Sequence, residues 1–213
     1  MNVNKERFIK FCLKNNILKF GDFTLKSGRK SPYFFNAGLF NSGNLLKELG
    51  GFYAYAIYTA KLEYDVIFGP AYKGIPLAVA TAIALASDYN IDKPIVFNRK
   101  EIKSYGEGGN LIGAPLKGKV LLIDDVITAG TAAREAVEII ENNGAKLCTI
   151  IIALDRQEKG ESDKSAIAEL EEKYALNVTS IINLVDLLEF VKTTSEFKQW
   201  FAKIELYREN YGA

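Results

Sequence analysis

The sequence predicts an α/β fold in which a central, mostly parallel sheet is covered by helices on both faces. Three observations carry that expectation. From residue 66 onward, short apolar runs alternate with longer amphipathic stretches. The short runs are apolar throughout rather than alternating in and out, as strands buried on both faces are. Finally, 213 residues with 48% hydrophobic content suit one domain, spanning 1–213, with a small appendage.

Taken in order, Phe8, Ile9, Cys12 and Leu13 recur at helical spacing and predict a first helix over 4–15. Residues 18–36 are polar and aromatic, with turn signals at Gly21-Asp22 and Ser27-Gly28, and read as small strands outside the main sheet. Together with the first helix and part of the C-terminal segment, residues 1–40 are expected to form a hood. A second helix, capped by Ser42, spans 42–60. Strands follow at 66–68, 95–97, 120–123, 147–154 and 178–182. Helices are expected at 75–86, 131–142 (stopped by Gly144) and 165–174, and two short helices finish the chain. Residues 100–113 are charged and glycine-rich and read as a loop.

Composition excludes several chemistries. The formal net charge is +1, so no overall field recruits nucleic acid or an anionic membrane. There is no histidine, which removes Ser-His-Asp and Cys-His catalysis and the commonest zinc ligand. Cys12 and Cys148 sit in apolar patterns and read as free thiols. No apolar signal core follows Met1-Asn2-Val3-Asn4-Lys5, and no apolar run reaches the ~18 residues of a transmembrane helix. A cytoplasmic protein is expected, relying on positioning, metal–phosphate electrostatics, or Lys, Asp, Glu and Tyr.

The strongest local signal is Ile123-Asp124-Asp125-Val126-Ile127-Thr128-Ala129-Gly130-Thr131-Ala132. A buried strand delivers two carboxylates, then hydroxyls and a glycine open a helix. Free N–H groups at a helix start, with threonine hydroxyls beside them, cradle a phosphate. The carboxylates can accept hydrogen bonds from the adjacent ribose hydroxyls. A plain strand–turn–helix junction with a threonine cap explains one acid and one threonine, but not two of each around a glycine.

This run resembles the signature of type I phosphoribosyltransferases, and four further blocks extend the resemblance to bacterial orotate phosphoribosyltransferases. Leu25-Lys26-Ser27-Gly28 through Phe34-Phe35-Asn36 is similar to that family's orotate entrance. Phe68-Gly69-Pro70-Ala71-Tyr72-Lys73-Gly74 is similar to its pyrophosphate loop, with a cis peptide implied between Ala71 and Tyr72. Phe97-Asn98-Arg99-Lys100-Glu101 and Gly106-Glu107-Gly108-Gly109 are similar to its mobile lid, and Leu154-Asp155-Arg156-Gln157 to its orotate-carboxylate strand.

The resemblance implies a type I phosphoribosyltransferase fold and a homodimer whose lids reach into the neighbouring site. It implies that phosphoribosyl pyrophosphate meets Lys26, Tyr72, Lys73, Arg99, Lys100, Lys103, Tyr105 and the run from Asp124 to Ala132. Asp125, Lys103 and Lys26 are then the catalytic residues, and orotate meets Phe34, Phe35, Thr128 and Arg156. Mg²⁺ is expected as cofactor, held by substrate and water without a direct protein ligand. One departure stands out: where the family's lid carries a histidine, this chain has Tyr105.

Alone, these fragments stay open to plainer readings. Lys73 equally reads as a surface lysine in a Gly-Pro turn, Phe34 and Phe35 as ordinary core, and Arg156 as half of a surface ion pair. A planar guanidinium is nonetheless the natural bidentate partner of a carboxylated base. Two rivals remain beside orotate transfer. One is a phosphoribosyltransferase for another base; the other is a regulatory protein that senses nucleotides with the same fold.

Overall fold

The computed structural model describes residues 1–25, 27–103, 109–160 and 163–213, without the side chains of Ile102 and Lys103. Helix α1 (Val3–Lys14) starts at Asn2, whose side chain accepts from the Asn4 N–H. Strands β1 (Leu18–Thr24) and β2 (Lys30–Phe35) form a separate antiparallel pair with an irregularity between Phe20 and Phe23. Helix α2 (Gly43–Thr59) is capped by Ser42, as its sequence predicts.

Six strands make the main sheet: β3 (Val66–Gly69), β4 (Ile95–Lys103), β5 (Gly109–Gly113), β6 (Lys119–Ile123), β7 (Lys146–Asp155) and β8 (Asn177–Asn183). Their spatial order is β5-β4-β3-β6-β7-β8, and every pairing is parallel except β4 with β5. Between them run α3 (Gly74–Tyr89), α4 (Thr131–Asn142) and α5 (Ala166–Tyr174). Helices α6 (Leu184–Thr193) and α7 (Phe201–Tyr211) close the chain. No helix among the described residues is long and apolar enough to cross a membrane.

The sheet separates two cores, and alternation along one strand shows how. On β6, Leu121 and Ile123 face the core shared with α1, α2, α3, α6 and α7, whereas Val120 and Leu122 face α4 and α5. Both faces being covered accounts for the unbroken apolar runs.

One expectation is corrected. Residues 100–113 are not a loop throughout: β4 continues to Lys103 and the chain returns as β5, pairing Val96 with Gly113 and Asn98 with Leu111. Leu111 packs against the second core, which gives this edge hairpin an apolar anchor that glycine content alone conceals. Functional segments therefore follow the carboxyl ends of β3, β6 and β7 or lie along β4, where ligands of open α/β sheets bind.

Candidate active site

The Asp124-Asp125 pair sits where β6 ends. The Asp124 N–H donates to Ile151 O, and Asp125 O accepts from the Ala153 N–H, so strand β7 holds both residues. Asp124 Oδ1 accepts from the Asp125 N–H at 2.9 Å, and Asp125 Oδ1 accepts from the Val126 N–H at 2.9 Å. From α2, the buried Tyr53 hydroxyl donates to Asp124 O at 2.7 Å. Burial first, and the Asp125 charge second, push the Asp124 carboxyl up to about 7.

Beyond this pair the chain turns sharply. Gly130 adopts φ +72°, a conformation that disfavours side chains, and α4 begins without a side-chain cap. Sequence alone allows a threonine cap; the structure leaves the first-turn N–H groups of α4 uncapped instead. Thr128, Ala129, Thr131 and Ala132 are exposed around them, while Val126 and Ile127 are half-buried against the two cores. Arg134 reaches back to Ala129 O and steadies the loop. The arrangement suits an anion.

The β3–α3 loop brings the cation. Lys73 Nζ lies 2.9 Å from Asp125 Oδ2 although its side chain is 65% exposed, so it is tethered yet reachable. The Ala71–Tyr72 peptide is cis, as the resemblance implies. Asn98 Oδ1 accepts from the Ala71 N–H at 2.7 Å, pinning this loop to β4. The exposed Tyr72 ring has Lys100 Nζ 5.5 Å from its centre, and Arg99 Nη1 is buried without a hydrogen-bond partner among the described residues. Tyr72, Lys73, Lys100, Asp124 and Asp125 thus form one patch, with Arg99 beside it on β4.

Arg156, directly after β7, is buried rather than on the surface. Its guanidinium lies 4.2 Å from the Tyr33 ring centre. Nε donates to Glu158 Oε1 at 2.6 Å, and Nη2 donates to Ser31 Oγ at 3.1 Å and to the Tyr207 hydroxyl at 3.2 Å. Nε and Nη2 are therefore both engaged within the protein. Among the described residues, the pair of N–H groups on Nη1 is what remains.

The paired aromatics also separate. Phe34 is exposed and meets Phe23, whereas Phe35 packs on Phe40 and the core, because neighbouring positions on a strand point to opposite faces. The structure does not bring both rings to one face. The β1–β2 pair is instead propped by the C-terminal segment, with Phe20 on Phe197 and Trp200, and Tyr33 edge-on to Tyr207.

Lys26 and Tyr105 lie outside the described residues, as does the Lys103 side chain. Sequence reasoning missed Tyr53, Asn98, Ser31, Glu158 and Tyr207 as supports of the site. The only available signal was a polar atom within an apolar pattern at Tyr53 and Tyr207. Among the described residues, no three His, Cys, Asp or Glu side chains gather to hold a metal ion.

Comparison with known proteins places this geometry. The model of the phosphoribosyl transferase domain matches residues 39–191. Orotate phosphoribosyltransferase of Mannheimia succiniciproducens is 58% identical over 208 residues, covering 98% of this chain and 97% of that protein. The chain belongs to the orotate phosphoribosyltransferase family. Haemophilus influenzae orotate phosphoribosyltransferase is 55% identical over 212 residues, with complete coverage of both chains. The crystal structure of orotate phosphoribosyltransferase from Francisella tularensis superposes with a TM-score of 0.89 at 46% identity, covering 97% of this chain and all of that one.

The domain match stops short of β1, β2 and α7. Full-length similarity to orotate phosphoribosyltransferases extends over them, and β2 and α7 supply Ser31, Tyr33 and Tyr207 to Arg156. The β6–α4 cradle lies within the matched phosphoribosyl transferase domain.

Proposed function

We propose that this chain transfers the phosphoribosyl group of 5-phosphoribosyl 1-pyrophosphate to orotate, releasing pyrophosphate, as a Mg²⁺-dependent cytoplasmic homodimer serving pyrimidine nucleotide synthesis. The observation that carries this reading is one arrangement: an uncapped helix start beside Asp124, Asp125 and Lys73, with a buried, pre-oriented Arg156 under the hood. The first group suits a ribosyl phosphate, and the second suits a carboxylated base.

In the reaction the bond from the ribose anomeric carbon to pyrophosphate breaks, its electron pair leaving on the pyrophosphate oxygen. A ring nitrogen of orotate supplies the pair for the new bond, and the proton it carried passes to the leaving pyrophosphate, whose oxygens accept it. No protein base is required, which fits a chain without histidine. The N–H groups opening α4, with Thr128 and Thr131, hold the 5′-phosphate. Asp124 and Asp125 accept from the ribose hydroxyls and favour positive charge developing on the ring. Lys73 and Arg99, with Lys26, Lys100, Lys103 and Tyr105, surround the leaving pyrophosphate. Phe34, Phe35 and Thr128 line the base.

The donor set fits Mg²⁺ bound through substrate. Hard carboxylate oxygens stand beside the phosphate cradle but are largely committed to Lys73 and backbone N–H groups, so they would meet the ion's water shell. When bound, the ion supplies further positive charge on the pyrophosphate.

The experiment is a mixture of purified protein, orotate, phosphoribosyl pyrophosphate and Mg²⁺, followed by orotate absorbance. Loss that requires all of them supports the reading; stable absorbance with folded protein would leave the sensor alternative standing.

A further inference from the structure

The chemistry described so far does not use Glu158 or Tyr207, yet both close a ring of contacts around Arg156. Glu158 Oε1 takes the Arg156 Nε–H at 2.6 Å and the Tyr207 hydroxyl proton at 2.7 Å. The same hydroxyl accepts from Arg156 Nη2 at 3.2 Å. The other Glu158 oxygen meets Arg29 Nη1 at 3.2 Å, and Arg29 Nη2 donates to Lys159 O at 3.0 Å. Local backbone builds this ring. Gln157 adopts φ +51°, with its N–H on Asp155 Oδ1, and Arg156 and Glu158 meet on one side of that turn. Residues near the end of α7 strap the turn down: the Lys159 N–H donates to Tyr211 O and the Ala213 N–H to Gln157 O.

Two consequences follow. Rotating the guanidinium would break its bonds to Glu158, Tyr207 and Ser31 together and lift it off Tyr33, so Nη1 points one way. Arg29 also shares the Glu158 carboxylate, so Glu158 does not spend its whole charge on Arg156.

We propose that Glu158 and Tyr207 are positioning residues that aim the free Nη1 of Arg156, so that helix α7 takes part in selecting a carboxylated base. This rests on the assignment of orotate to the hood.

Steady-state kinetics of Tyr207→Phe, Glu158→Ala and Glu158→Gln test it, with orotate and uracil as alternative bases. Tyr207→Phe keeps the ring packed against Tyr33 and removes one hydroxyl, so folding is preserved. It should raise the KM for orotate roughly fivefold, the effect of about one hydrogen bond. The kcat and the KM for phosphoribosyl pyrophosphate should stay within about twofold, and the preference for orotate over uracil should fall. Glu158→Ala should raise the orotate KM roughly tenfold even though it adds net positive charge, with Glu158→Gln recovering much of the loss. If charge alone matters, Glu158→Ala would tighten orotate instead, and that result overturns the proposal. So does an unchanged orotate KM in Tyr207→Phe. Should Glu158→Ala fail to fold, Tyr207→Phe decides alone. A parental protein that ignores orotate defeats the base assignment itself, and this is seen before any variant is made.

Discussion

Asp124 and Asp125 are adjacent in sequence, but the fold gives them different work. Asp125 is bound to Lys73 and to the Val126 N–H, whereas Asp124 carries burial and the charge of its neighbour, which lift its carboxyl from 3.8 to about 7. Because the folded-state pKa lies above the unfolded one, the native protein keeps a proton that the unfolded chain releases. Stability contributed at this site is thus highest below about pH 4 and declines up to about pH 7. Urea unfolding of ligand-free protein across that range should show the decline, and Asp124→Asn should flatten it without loss of stability at pH 8. Asp125→Asn keeps its bond to the Val126 N–H but loses the ion pair with Lys73. It should lower kcat by at least about tenfold, ~1.4 kcal/mol of barrier, with an unchanged circular dichroism spectrum. Near-parental turnover would remove Asp125 from the mechanism. These two aspartates were legible in the sequence because adjacent acids before a glycine loop are hard to justify structurally. Asn98, Tyr53 and Tyr207 were not, since each acts through a partner 27, 71 or 51 positions away.

At the level of elements, the site depends on close approaches between loops and strands. A Cβ added at Gly74 would collide with the Pro70 ring and come within 2.9 Å of Ile123 O, the residue just before Asp124. Gly74→Ala should therefore cost about 1–3 kcal/mol of stability and displace Lys73 from Asp125. Urea titration and the KM for phosphoribosyl pyrophosphate should both register the change. The segment from 100 to 113 behaves differently. Its glycines masked a β-hairpin, since β4 and β5 are held by Leu111 and by ladder bonds that periodicity alone does not reveal. Tyr105 stands where the resemblance expects a histidine, and its phenol offers a hydroxyl hydrogen bond. With no histidine in the chain, the pH–rate profile should lack a limb arising from a lid imidazole. Tyr105→Phe should then lower turnover only modestly, by the ~0.5–1.5 kcal/mol of one neutral hydrogen bond. Abolished activity would make Tyr105 an essential clamp.

For the whole molecule, the parallel sheet and its flanking helices were readable because burial on both faces produces apolar runs with a plain signature. The hood was readable only as a place. That α7 and the Tyr33 strand grip one arginine between them depends on residues 33, 156 and 207 meeting, which no local pattern encodes. If lids cross between subunits, mixing Lys103→Ala with Asp125→Asn protein should restore about a quarter of parental activity. Half of the randomly formed dimers then hold one intact site. No recovery after subunit exchange would confine each lid to its own chain.

The most direct test of the central claim is pyrophosphate release from phosphoribosyl pyrophosphate and Mg²⁺, measured separately with orotate, uracil, adenine and hypoxanthine. Arg156 under the hood predicts rapid release with orotate and little with the three uncarboxylated bases. Equal or faster release with any of those three would contradict the account.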